Sequence, residues 1–230
     1  FLIERLTGNI ARFEKSNAQL GRYFSPQIKE EIESSEIEVI GKNPKGLDVA
    51  ILFTDIVNFT KLSEKMDPKD VLSLLSDYQS IMIDSIFAHK GTVDKFVGDA
   101  VMANFGTPKS VGNDAQNAFD CALTMNKKLK EWNKTREING LQKISHRIGI
   151  HFGSCVVGNI GNELRTEFAV IGDPVNVASR ICDSCKELGT NFVISKDLAN
   201  RIVLTGKYEK VKNFRIRGRE ESIDLVKFYS

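Results

Sequence analysis

The sequence predicts an α+β domain with a mixed or mainly antiparallel sheet, preceded by a coiled-coil helix. Two long helical stripes, from Pro68 to about Ile86 and from about Asp114 to Glu137, are separated by a hairpin-like segment. That order is not the regular βαβ alternation of a parallel sheet. Further short apolar runs recur to residue 228 with turn residues between them. The opening stretch FLIERLTGNIARFEKSNAQL differs from all that follows: Ile3, Leu6, Ile10, Phe13, Asn17 and Leu20 recur at alternating spacings of three and four. Such spacing is the seam of a coiled coil, and a polar residue in it, here Asn17, can fix register.

The elements follow in order. Residues 1–22 are expected to form a parallel two-stranded coil; one amphipathic helix lying on its own domain is the alternative. Residues 23–46 read as a connector: Pro26 follows Ser25 at a helix start, and 35–46 are polar with Gly41, Pro44 and Gly46. From Leu47 to the end runs the main domain. LDVAILFTDI is apolar enough for a central strand. Pro68 after Asp67 starts a helix that buries Val71, Leu74, Leu75, Tyr78, Ile81, Met82 and Ile86. TVDKFVGDAVMANFG reads as a hairpin with Gly98 and Asp99 at its turn. The next helix turns Ala115, Ala118, Ala122, Met125 and Leu129 inward. SHRIGIHFG and SCVVGNIG read as a strand pair, their glycines allowing tight turns and close approach of strands. EFAVIG is a further strand, and DPVNVASRICDSCKEL a helix begun near Pro174. NFVIS, a short helix at 196–204 and strands near 208–216 and 223–228 complete the chain.

Composition narrows the function. Basic and acidic side chains number 32 and 30, so no broad electrostatic surface for nucleic acid is expected. Four cysteines in a well-cored chain need no disulfides, and the lone CxxC at Cys182 and Cys185 lacks the second pair a zinc site would use. No apolar run reaches the length of a membrane span; the catalytic domain is expected in the cytoplasm, with membrane attachment of the full-length protein left open. The chain opens on Phe1, which fits a piece of a longer protein with an upstream sensory domain.

Asp55 closes a very apolar strand, and Asp99 sits at a hairpin tip. Two carboxylates brought together repel unless cations share them, and Mg²⁺ or Mn²⁺ suits oxygen ligands and phosphate. Taken singly, Asp55 can equally cap a helix and Asp99 form a turn; spacing alone does not bring them together. His151 lies mid-strand and reads as structural, and His89 and His146 carry no signal.

FTDIVNFT, KFVGDAVMANFG, RIGIHFG, VVGNIG and FAVIGDPVNVASR, in this order, resemble the signature segments of class III adenylyl and guanylyl cyclase domains. RYFSP resembles the connector found ahead of many of them. The resemblance implies a nucleotide cyclase (ferredoxin-like) sheet with flanking helices, working as a homodimer on ATP. It implies two divalent cations, Mg²⁺ or Mn²⁺, held at Asp55, Ile56 and Asp99. From the opposite subunit it implies Asn176 and Arg180 at the reaction centre and Arg217 on the terminal phosphates. Lys95 is matched to a lysine that reads adenine where guanylyl cyclases place glutamate, and Phe59 and Thr60 to the substrate site. The segment 161–168 is matched to an arm reaching the partner.

Those roles suit the chemistry, in which the 3′ hydroxyl attacks the α-phosphorus and expels pyrophosphate. Arg180 stays charged and pairs with phosphoryl oxygens, while Asn176, one helical turn earlier, can orient the ribose. Metal-bound water, substrate phosphate and Asp55 all stay open as proton acceptor. One position departs from the pattern. Ala169 stands where adenylyl cyclases usually place aspartate or threonine, and its side chain offers adenine no partner. A missing bond of that kind weakens discrimination by about 0.5–1.5 kcal/mol, so GTP is expected to turn over slowly. A guanylyl or relaxed purine cyclase, or a silent nucleotide-binding dimerisation module, are the competing readings.

Overall fold

The computed structural model describes residues 2–34, 44–162 and 164–229. Helix α1 (Leu2–Leu20) passes through a short 3-10 turn into α2 (Pro26–Ser34). Then come β1 (Lys45–Ile56), α3 (Phe59–Ser63), α4 (Pro68–Ala88), the hairpin β2 (Thr92–Val97) and β3 (Ala100–Phe105), and α5 (Asp114–Ile138). After these follow β4 (His146–Asn162), β5 (Arg165–Ile171), α6 (Asp173–Ser184), β6 (Phe192–Ser195), α7 (Lys196–Ala199), β7 (Tyr208–Phe214) and β8 (Ile223–Phe228). The strands form one open sheet, in the order β2-β3-β1-β4-β6-β8-β7, with β5 paired to the far end of β4. Among the described residues only the β4–β6 pair is parallel, so the expectation of a mainly antiparallel mixed sheet is met.

Strand alternation divides the core. Ala50, Leu52 and Ile56 of β1 join the cluster made with α4 and α5, whereas Val49 and Ile51 join Ala178 of α6 on the other face. Helix α4 starts where Pro68 predicts: Asp67 Oδ1 accepts from Lys69 N–H at 2.9 Å, a cap worth about 1 kcal/mol. It buries Leu74, Tyr78, Met82 and Ile86, and α5 buries Ala115, Ala118, Ala122, Met125 and Leu129.

Two expectations are corrected. SHRIGIHFG and SCVVGNIG are not a strand pair but the single strand β4, and the turn comes only after Asn162. Their glycines make room for a helix rather than for a turn. A Cβ on Gly149 would lie 2.2 Å from the Cys182 backbone nitrogen, and one on Gly153 would lie 2.6 Å from Pro174 Cγ. Without side chains there, α6 settles directly on β4. Gly46, read as connector, lies inside β1.

Of the connector, residues 35–43 lie outside the described residues. On α1, Ile10, Phe13 and Leu20 are exposed. All four cysteines are free thiols and buried. Among the described residues no helix is long and apolar enough to cross a membrane.

Candidate active site

Strand β1 carries Asp55 one residue before its end, on the face that α6 covers. Its ladder partner in β4 is Arg147, whose Nε lies 3.7 Å from Asp55 Oδ1. That is close enough for attraction and too long for a hydrogen bond. Asp99 sits in the β2–β3 turn, and its Oδ2 accepts the Ile56 backbone N–H at 2.9 Å. The fold therefore brings the two predicted carboxylates to one strand end.

Electrostatically the place suits a cation. Asp55 Oδ1 is buried without a hydrogen-bond partner. Burial first, then the neighbouring charges of Asp99 and Asp183, raise the Asp55 pKa to about 6, and Arg147 only partly opposes them. An oxygen-seeking dication would relieve both the desolvation and the repulsion. Among the described residues no group of three or more His, Cys, Asp or Glu side chains gathers to hold an ion. Two carboxylates and a backbone carbonyl of Ile56 are the donors at hand, and such sparse protein ligation is usual where phosphate oxygens complete the shell.

Behind β1, on the opposite face, Thr54 Oγ1 lies 2.8 Å from the Tyr78 hydroxyl. His146 Nε2 donates to Asn126 Oδ1 at 3.0 Å, and its Nδ1 lies 3.3 Å from the Tyr78 hydroxyl. Burial pushes the His146 pKa down to about 3, so the ring is neutral. This buried chain braces the strand end next to Asp55. His151 is buried as well and its pKa is lowered by burial, as suits a structural histidine.

The residues that the resemblance assigns to the reaction centre and the phosphates lie on other elements. Asn176 is exposed on α6, and Arg180, one turn on, donates from Nη1 to the Gly218 carbonyl at 3.2 Å. The neighbouring Arg217 is exposed in the same loop between β7 and β8. Among the described residues no hydrogen bond or ion pair joins Asp55 or Asp99 to Asn176, Arg180 or Arg217. Phe59 packs against the main core, and Thr60 is exposed beside it on α3.

Lys95 lies on β2, where a bulge between Val93 and Lys95 leaves Asp94 unpaired in the ladder. Its ammonium contacts Glu167 of β5 and stands 3.3 Å from Asp94 Oδ1. Ala169 is buried opposite Gly158 of β4. A cavity of about 940 Å³ takes in Phe24, Ser25, Asp94, Lys95 and Glu167 but neither Asp55 nor Asp99. Sequence reasoning missed Arg147 and Glu167. Arg147 shows through the β1–β4 register, and Glu167 through its side-chain contact with Lys95.

A family model, Adenylate and Guanylate cyclase catalytic domain, matches residues 42–224. Adenylate cyclase 1 of Rhizobium meliloti is 33% identical over 178 residues, 77% of this chain and 27% of that protein. The adenylate cyclase of Anabaena cylindrica is 35% identical over 184 residues, 77% of this chain and 36% of that protein. The chain thus spans about a quarter to a third of these curated relatives. Among solved structures, the adenylyl cyclase CyaB from P. aeruginosa superposes with a TM-score of 0.73 at 29% identity, covering 82% of this chain and 96% of the other. The guanylyl cyclase Cya2 does so with a TM-score of 0.72 at 32% identity, covering 82% and 93%.

Proposed function

The chain belongs to the adenylate and guanylate cyclase catalytic domain family, and we propose that it converts ATP to 3′,5′-cyclic AMP and pyrophosphate in sites shared by two copies. One observation carries this reading. The carboxylates of FTD and GDA come to one strand end with a buried oxygen, Asp55 Oδ1, that accepts no hydrogen bond among the described residues.

Asp55, Asp99 and the Ile56 carbonyl would hold two divalent cations. When bound, these supply Lewis acidity at the 3′ hydroxyl and along the phosphates. The other residues position and neutralise. Arg180, steadied by the Gly218 carbonyl, is aimed at phosphoryl oxygens as charge redistributes, and Arg217 meets the terminal phosphates. Asn176, on the same helix, orients the ribose so that its hydroxyl lines up. Because these residues have no bond to the carboxylate pair within the chain, the reading takes them from the neighbouring copy. Lys95 reads the base. Ile10, Phe13 and Leu20, exposed on α1, suit a parallel coil that joins the two copies to an upstream sensor.

A relaxed purine cyclase is the second reading, favoured by Ala169 and by the similarity to a guanylyl cyclase. Incubation with ATP or GTP and Mn²⁺, with chromatographic identification of products, decides. Cyclic AMP in excess, with cyclic GMP detectable within about a thousandfold, is expected from a single weakened base contact. Tight nucleotide binding without any product would instead point to a silent dimerisation module.

A further inference from the structure

Ala169 leaves adenine without its expected side-chain partner, yet a carboxylate stands nearby. Glu167 and Ala169 are two apart on β5, so they share a face of the strand. Lys95 and Glu167 touch although 72 residues apart, and both are close to half exposed at the mouth of the cavity. From the other side Asp94, whose side chain is 1% exposed, stands 3.3 Å from the same ammonium. Lys95 is therefore held between a buried carboxylate and an open one. Asp94 is the buried member of the pair: its Oδ2 accepts from Asn104 Nδ2 at 3.4 Å, and its Oδ1 makes no hydrogen bond. Glu167 keeps lone pairs free toward solvent.

We propose that Glu167 is a specificity-determining residue that accepts a hydrogen bond from the 6-amino group of adenine, in place of the missing partner at Ala169. The inference rests on the ATP cyclase reading. An ammonium is donor only, and a carboxylate acceptor only. Adenine shows N1, an acceptor, beside the 6-amino donor, so the adjacent pair Lys95 and Glu167 is complementary to that edge. Guanine in the same pose sets its 6-oxo group against the carboxylate and its N1–H against the ammonium. Both contacts become repulsive.

The test compares kcat/KM for ATP with that for purine riboside triphosphate, which lacks the 6-amino group, in the wild type, Glu167→Ala and Glu167→Gln. A charge-assisted hydrogen bond gives the wild type a preference for ATP of roughly tenfold or more. Glu167→Ala should bring the ratio close to one, and Glu167→Gln, which retains a carbonyl acceptor, should hold an intermediate value. Because the readout is a ratio, a general loss of activity does not imitate the effect. An active wild type whose preference survives in Glu167→Ala, or loss in that variant equal for both substrates, overturns the inference alone. A wild type that makes no cyclic product from either nucleotide overturns the cyclase reading and this inference with it.

Discussion

The Ile56 backbone N–H donates to Asp99 Oδ2 at 2.9 Å, tying the β2–β3 turn to the end of β1. One bond thus converts two carboxylates 44 positions apart into neighbours. It also fixes Asp99 through the backbone, while Asp55 is left to balance Arg147 against burial.

Asp55 should therefore lower the stability of the ion-free chain. Its folded pKa is raised to about 6, so ionisation at pH 8 costs on the order of 3 kcal/mol relative to the unfolded chain. Asp55→Asn should unfold about 1–3 kcal/mol harder than wild type in chelator at that pH. Mn²⁺ should raise the melting temperature of the wild type by several degrees and leave the variant unmoved. Equal shifts in the two proteins, read by calorimetry, would remove the ion from this site.

If Arg180 and Asp55 act across two copies, dead variants should repair each other. Asp55→Ala and Arg180→Ala chains, mixed and allowed to exchange, form heterodimers with one intact site. About a quarter of wild-type activity is expected from random exchange. A mixture as inactive as either parent contradicts shared sites.

Phe13 is 67% exposed on α1, in the predicted seam. A cysteine placed there should form a disulfide between two copies under mild oxidation, since seam positions of a parallel coil face each other. Arg12→Cys, off the seam, should crosslink at least several-fold more slowly. Equal rates on denaturing gels would leave α1 as a single helix.

His146 predicts acid sensitivity. Its folded pKa is about 3, against roughly 6.5 when unfolded. Between these values the unfolded chain holds a proton that the native chain lacks, so stability falls as pH drops through that window. The slope is at most about 1.4 kcal/mol per pH unit. Asp55, raised to about 6, works in the opposite direction over part of the window, so the comparison must be with His146→Gln. Urea titrations from pH 7 to 4 should be flatter in that variant, and parallel curves would contradict a neutral buried ring.

Much of this fold could be read from local pattern because local pattern governs it. Pro68 after Asp67 starts α4, and the stripe from Leu74 to Ile86 finds its core. Glycine misled where tertiary contact decides: Gly149 and Gly153 lie within a strand because α6 presses on them. The placement of Asp55 and Asp99 at one strand end, and of Asn176 and Arg180 on α6, fits the ordered motifs. Arg147 and Glu167 were not legible, for an ordinary Arg or Glu acquires meaning only through the register that seats Arg147 opposite Asp55 and the tertiary contact that brings Glu167 to Lys95.

The last relationship concerns Arg180, whose Nη1 donates to the Gly218 carbonyl. Gly218 has φ +76°, and a Cβ there would stand 3.3 Å from Arg180 Nη2. Gly218→Ala should therefore strain the loop by about 1–2 kcal/mol and push the guanidinium aside. Displacing a group that acts on the transition state lowers kcat more than it raises KM, and a tenfold fall in kcat is the rough expectation. Gly206→Ala supplies the control: its φ is +86°, but no atom lies within 4 Å of the added Cβ. It should show similar strain by denaturant titration and near-normal kcat. If Gly218→Ala and Gly206→Ala slow turnover alike, the carbonyl does not position Arg180, because backbone strain alone would account for both.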